Sequence, residues 1–211
     1  MRGIAVLGFL AAVAPITTAP GTSLTLVVSR VAAGGRRQGW WVILGTVTGL
    51  YVHATLAAAG LAALVLRSSQ AFWVVKLVGA GYLAGLGLWL LWSSAGRPAR
   101  APAPAPAGPR RLPWCGHHPF PQALLGNVLN PKAAAVYLTL APQFLEPGRP
   151  VLVPMLVLAT AHAALHTCWL AGWAAVSGAA ARLLRAARVR RLLDRLTGAV
   201  LLALGVRAAL P

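Results

Sequence analysis

Two short stretches of this chain set polar groups among residues that are otherwise apolar, and each contains a helix-breaking proline. In Ala14-Pro15-Ile16-Thr17-Thr18-Ala19-Pro20-Gly21-Thr22-Ser23, two prolines and a glycine stand beside four hydroxyls. In Asn127-Val128-Leu129-Asn130-Pro131-Lys132, two amides and an ammonium flank the proline. Proline brings no N–H and leaves a carbonyl of the preceding turn without its donor. At membrane depth such a group is costly unless something polar answers it. The chemistry that fits is recognition of a small polar molecule. Thr17, Thr18 and Ser23 would offer hydroxyls, Pro20, Gly21 and Pro131 an unwound backbone, Asn127 and Asn130 amides, and Lys132 a cation. Plainer readings stand beside this one. A kinked helix whose Thr and Ser bond back to their own backbone gives the first pattern, and the Lys132 stem is long enough to snorkel to the interface as an anchor.

Three histidines are the next groups able to do chemistry. His53 falls within an apolar segment, and His162 and His166 lie four apart, on one face of a helix. Histidine titrates near neutrality, which makes these the groups available for proton coupling; hydrogen bonding to a neighbouring helix is the structural alternative. Two histidines at that spacing can bind a metal, but a third ligand is not evident, so no metal site and no cofactor are expected. An enzyme would need a paired acid and base, or a nucleophile with its base, and no such constellation is present. Cys115 and Cys168 lie far apart in unlike contexts and suggest neither a disulfide framework nor a metal site.

The elements that must position these residues are membrane helices. Of 211 residues, 58% are hydrophobic and 10% charged, with mean hydropathy +0.72, whereas a soluble domain carries about a quarter charged residues. No Asp, Glu, Lys or Arg occurs between Arg2 and Arg30, between Arg37 and Arg67, or between Arg149 and Arg182. Each gap exceeds the roughly 20 residues that cross a bilayer. Six spans are predicted: Gly3 to Ser29, Gly39 to Val65, Ala71 to Trp92, Phe120 to Leu145, Val151 to Gly178 and Leu192 to Leu210. A signal peptide over Met1 to Ala19 is set aside, because the apolar run continues past Pro20 to Val28 and cleavage would leave an odd helix count.

The net charge of +17 would suggest a nucleic-acid partner if it formed one patch interleaved with aromatic residues. The arginines cluster instead between the apolar segments: Arg30, Arg36 and Arg37; Arg97, Arg100, Arg110 and Arg111; then Arg182, Arg185, Arg188, Arg190, Arg191 and Arg195. These three connections hold 13 basic residues against 5 on the other side, with Lys132 inside a span. The positive-inside rule therefore places them in the cytoplasm and both termini outside, with no nucleic acid required. Arg97 to Pro113 is rich in Pro, Ala and Arg and reads as an extended linker. It divides the chain into a first half, 1–96, a cytoplasmic linker, 97–119, and a second half, 120–211. Arg182, Arg185, Arg188 and Arg191 form a basic stripe suited to anionic lipid headgroups. Most tryptophans fall near span ends, as interface anchors.

The halves share a motif. Lys76-Leu77-Val78-Gly79-Ala80 with Leu83 matches Arg195-Leu196-Thr197-Gly198-Ala199 with Leu202, and each half opens with a proline-interrupted helix. Three helices per half is an odd number, so the second half must sit inverted. The expected fold is all-α and integral to the membrane: about six transmembrane helices as two inverted three-helix repeats, with the first and fourth helices broken. Many secondary transporters have that layout, with the substrate site where the breaks meet. Gly79, Gly81, Gly85 and Gly87 make a small-residue stripe, expected to pack within the monomer, with a homodimer as the other use.

Over nearly its whole length the chain resembles the LysE/RhtB family of amino-acid exporters. The resemblance rests on Pro20-Gly21, on Gly34 to Gly39 with its arginines, on Gly45 and Gly49, on Gly79 to Leu83, on Asn127 to Lys132, on Pro142-Gln143-Phe144 and on Gly198 to Gly205. It implies export of amino acids or related small amphiphiles, driven by the proton gradient or by antiport, from the inner (plasma) membrane as a multi-pass protein. One departure bears on substrate: the family pattern Thr-Pro-Gly-Pro followed by Asn or Asp is here Ala19-Pro20-Gly21-Thr22-Ser23. The acidic residues are only Glu146 and Asp194, both near helix ends, so nothing deep in the membrane would neutralise a dibasic substrate. A neutral amino acid is expected, its carboxylate drawn to Lys132 and to half-helix N-termini. The alternative is a cation or heavy-metal exporter of similar architecture that uses the histidines and unwound carbonyls.

Overall fold

Every element that the computed structural model describes is helical. It describes residues 3–19, 21–67, 118–146, 150–176 and 187–209, and in the third predicted span positions 74, 77–78, 80–82, 84–85, 87–89 and 91–92. Pro20, the linker up to residue 117, and Arg182 and Arg185 of the basic stripe lie outside these.

Helix α1, Gly3–Thr18, carries Pro15 inside it and stops before the Pro20-Gly21 pair. Its 16 residues reach roughly 24 Å, short of the ~30 Å hydrocarbon core. Helix α2, Thr22–Arg67, follows, and is interrupted at Gly34 and at Gly35, whose φ is 77°. That left-handed backbone suits glycine and reverses the chain. The arms 22–33 and 36–67 fold back on each other, so that a Cβ on Gly39 would stand 2.5 Å from Val31 Cγ2. The sequence had suggested spans ending at Ser29 and resuming at Gly39; the hairpin is tighter, because two glycines suffice to turn it.

The fourth span is four pieces: α3, Pro119–Val128; α4, Pro131–Ala135; a π-helical turn, Val136–Leu140; and a 3-10 turn, Ala141–Phe144. The break at Leu129 and Asn130 precedes Pro131, whose ring bars the preceding residue from the helical region. Helix α5 is Leu152–Ala175, and α6, Ala187–Ala209, starts a turn before the expected Leu192. In the third span the described residues are helical.

Large apolar side chains face outward: Trp92 is 81% exposed and Leu7 and Val78 each 68%. Such a surface suits lipid rather than water. Among the described residues, Thr22–Leu61, which contains the Gly34-Gly35 turn, and Leu152–Ala175 hold stretches long and apolar enough to cross a bilayer, while Ala5–Thr18 and Arg195–Val206 are apolar but shorter. Inside, one core joins α1, α2, α4 to α6 and the π turn around Phe9, Val13, Leu50, Tyr137, Met155 and Leu201. A second joins both arms of α2 to α3 and α5 through Val27, Val42, Ala123 and Leu170.

Contacts at the two ends fix which connections are neighbours. Arg36 Nη2 donates to Ala175 O at 3.2 Å, and the Trp41 ring meets His118 edge-on at 5.1 Å. Arg30 donates to Gln122 nearby. The Gly34-Gly35 turn, the start of α3 and the end of α5 thus share one end of the bundle. Phe144 packs on Phe9 at the other, 5.7 Å between centroids. In the third span, a Cβ on Gly87 would lie 2.7 Å from both Gly198 O and Leu202 N, and one on Gly205 would lie 2.7 Å from both Ala80 O and Ala84 N. The contact is reciprocal, and the two helices run antiparallel through it.

Candidate functional site

At both breaks side chains bond to the backbone around them. At the end of α1, Thr17 Oγ1 donates to Val13 O at 2.9 Å and Thr18 Oγ1 to Pro15 O at 3.2 Å. Pro15 O also receives Ala19 N–H and, from α6, the Thr197 hydroxyl at 3.0 Å. At the second break Asn130 caps α4, its Oδ1 accepting Lys132 N–H at 3.0 Å. The breaks then touch. Asn130 Nδ2 donates to Thr22 Oγ1 at 3.4 Å, and Lys132 Nζ to Ala19 O at 3.5 Å, so the unwound carbonyl of one half answers the cation of the other.

Between them lies a cavity of about 50 Å³. Of the residues singled out from the sequence, Thr17, Gly21, Ser23, Asn127, Asn130, Lys132, His162 and His166 line it. Thr18, Pro131 and His53 stand outside the lining, and Pro20 is not described. Pro131 serves as the first residue of α4. Ile16, Leu24, Leu50, Val136 and Leu170 supply an apolar wall. Asn127 is 2% exposed, and it fits because Gly49 faces it: a Cβ there would stand 2.6 Å from Asn127 Oδ1.

One histidine is locked between the halves. His162, 3% exposed, has Nε2 at 3.2 Å from Thr17 Oγ1 and Nδ1 at 3.1 Å from the Tyr137 hydroxyl. Thr17 has a single hydroxyl hydrogen and spends it on Val13 O, so His162 Nε2–H donates to Thr17 and Nδ1 accepts from Tyr137. The chain Tyr137, His162, Thr17 therefore ties the π turn to α5 and α1. His53 lies behind it, donating Nε2–H to Asn127 O at 3.1 Å and stacked on Tyr137 with 6.2 Å between centroids. Each of the three histidines meets a neighbouring helix or lines the cavity, and His162 does both.

Sequence reasoning missed Tyr137 and Thr197. Tyr137 sits on the π turn, five residues past Lys132, and irregular turns of this kind recur at functional sites. A buried hydroxyl just after a broken helix was the available signal. For Thr197 the signal was its place inside the repeated motif. The apolar wall carried none, since a leucine facing a cavity and one facing lipid look alike in sequence.

Residues 15–211 match the family described as LysE type translocator. A Vibrio cholerae "uncharacterized membrane protein" is 28% identical over 96% of this chain and 95% of its own length. The homoserine/homoserine lactone efflux protein of Salmonella typhimurium is 27% identical over 92% of this chain and 90% of its own. The leucine efflux protein of Salmonella choleraesuis is 28% identical over 74% and 70%. No solved structure gives a significant match. With the model of one family covering residues 15–211, this all-helical, multi-pass membrane chain belongs to the LysE type translocators.

Proposed function

We propose that the protein is a secondary transporter that exports a neutral amino acid from the cytoplasm, working as six spans in two inverted repeats, 1–96 and 120–211, joined by the linker 97–119. The observation that carries this reading is the meeting of the two breaks around one cavity, with Lys132 and Asn130 of one half bonded to Ala19 and Thr22 of the other. The reciprocal contacts of Gly87 and Gly205 support the inversion. Antiparallel neighbours exchanged by a two-fold axis need that axis perpendicular to the helices, hence in the membrane plane.

The cavity chemistry favours an amino acid. Lys132 is the cation for its carboxylate, and the lining contains no Asp or Glu for a second positive charge. The aliphatic wall suits an apolar side chain, in line with the relative named as a leucine efflux protein. A volume of about 50 Å³ falls well below the roughly 300 Å³ of ordinary ligand pockets, so access requires the two breaks to part. The rocking of one repeat against the other would do this. Metal export draws less support: among the described residues no three His, Cys, Asp or Glu side chains come together.

The test is efflux of labelled amino acids preloaded as dipeptides into cells with and without the protein. We expect faster release of a neutral amino acid, cut at least tenfold by Lys132→Ala at unchanged membrane level. Unaltered export in that variant would remove Lys132 from the site, and no response across the panel would favour metals.

A further inference from the structure

The cavity lies between two apolar layers. Ile16, Leu50 and Val136 belong both to its lining and to the first core, and Leu24 and Leu170 both to its lining and to the second. Along α5 the order is Met155, Leu158 and Ala159 of the first core, then His162 and His166 of the lining, then Leu170 and Ala174 of the second core. Along the second arm of α2 it is reversed, from Val42 and Ile43 through Leu50 to Ala54 and Ala57. The second core therefore closes the cavity toward the Gly34-Gly35 turn and the first closes it toward Phe144. A polar link between the halves crosses each layer. In the first it is the chain Thr17, His162, Tyr137; at the edge of the second, Arg30, beside Val27 and Val31, donates to Gln122, beside Ala123.

The layers differ in how their polar groups are answered. In the first, Thr17, Tyr137 and His162 bond to one another, and Thr139 and Gln143 bond to backbone. Beside the second, Gln38 Oε1, Thr46 Oγ1 and Trp169 Nε1 are buried with no partner in the protein. Gln38, Val42, Thr46 and Leu50 follow at intervals of four on one face of α2, from the turn to the cavity, and Trp169 precedes Leu170 on α5. Among the described residues, no buried side-chain atom of the first layer is left without a partner. Unanswered donors and acceptors raise the free energy of the closed layer, and water entering on opening would answer them. We propose that the second layer, latched by Arg30 and Gln122, is the cytoplasmic gate of the transporter, and that it opens before the first. This rests on the export reading above, because a substrate taken from the cytoplasm needs its entrance at the basic end.

The experiment measures how fast a membrane-impermeant maleimide reacts with single cysteines in the full chain, in a background with Cys115 and Cys168 replaced by serine. Val27→Cys reports the second layer and Val13→Cys the first; both valines are 0% exposed in the closed state. In inside-out vesicles Val27→Cys should react at least tenfold faster than Val13→Cys does in spheroplasts. Adding Gln122→Leu should raise the Val27→Cys rate at least threefold without raising that of Val13→Cys. Thr46→Val distinguishes the gate from general loosening, since it removes an unanswered hydroxyl and keeps the shape. It should slow Val27→Cys labelling at least threefold and raise the melting temperature in detergent. Faster labelling in Thr46→Val would mean that a water held in the closed layer already answers the hydroxyl, and overturns the proposal. Equal rates for Val27→Cys and Val13→Cys, or labelling of Val27→Cys from the outer face alone, overturn it too. Labelling needs no substrate, so rates that contradict this order remove the gate and leave export standing, whereas an efflux panel without any response removes the export reading by itself.

Discussion

Thr17 and Thr18 are neighbours of the same type, yet different structures depend on them. The Thr17 hydroxyl is the acceptor for His162 Nε2–H, at 3.2 Å, in a site with no other partner for that proton. The Thr18 hydroxyl is one of three donors to Pro15 O, beside Ala19 N–H and Thr197 Oγ1. Valine keeps the shape of threonine and deletes the hydroxyl. Thr17→Val should therefore strand a buried N–H, cost about 1–3 kcal/mol and lower the melting temperature in detergent along with export. Thr18→Val should stay within about 0.5 kcal/mol and keep export within twofold. Equal losses would mean that the His162 bond is not what Thr17 is for. The sequence singled out both threonines alike, because consecutive residues on a helix are separated by about 100° and only the partner settles which one faces the site. That partner comes from α5, far along the chain. Lys132 and Asn130 were legible for the opposite reason: a cation and an amide at a proline break have few uses in a membrane other than the one their own spacing implies.

At the scale of elements, glycines decide how closely helices approach. The stripe Gly79, Gly81, Gly85, Gly87 was expected to pack within the monomer, and Gly87 does, against Gly198 and Leu202. Gly81 and Gly85 have open space where a Cβ would go. Gly87→Val would push its side chain into backbone that cannot yield, at 2.7 Å from Gly198 O, whereas Gly85→Val meets nothing within 4 Å. Overpacking of this kind costs about 1–3 kcal/mol. The first variant should thus melt several degrees lower in detergent and the second close to wild type; the reverse order would place Gly85 in an interface between copies instead. The breaks in the first and fourth helices were readable from Pro20 and Pro131, but the order of pieces after the second break was not. Nothing in Val136-Tyr137-Leu138-Thr139-Leu140 distinguishes a π turn from an α turn, and the bond from Tyr137 to His162 joins residues 25 apart in the chain. The motif repeat was visible as well, although it equates Gly79 with Gly198, while the reciprocal contacts, Gly87 on Gly198 and Gly205 on Ala80, equate Ala80 with Gly198, one residue on.

For the whole molecule, charge and packing can be tested against each other. The contacts of Arg36 with Ala175 and of Trp41 with His118 bring the Gly34-Gly35 turn, the start of α3 and the end of α5 to one end, and the sequence beside those points carries most of the basic residues. Positive charge stays on the cytoplasmic side, so that end should face inward and Phe144 with the N-terminal half of α1 should lie near the outer face. The charge bias was legible without any fold, because it depends only on counting. Which helix ends meet was not, because it depends on the hairpin at Gly34 and Gly35 and on where α3 enters. A version of the protein with Cys115 and Cys168 replaced by serine, carrying one new cysteine at a time, separates the alternatives. A membrane-impermeant maleimide should label Glu146→Cys in intact spheroplasts, and should label Ala103→Cys, in the linker, only after the membrane is opened. The two positions are separated by a single span, the broken fourth helix. Labelling of both from the outside would mean that this helix does not cross, and that the two breaks cannot meet at the midplane. Labelling in the opposite sense would keep the crossing but reverse the molecule, and Lys132 would then have to be reached from the other side.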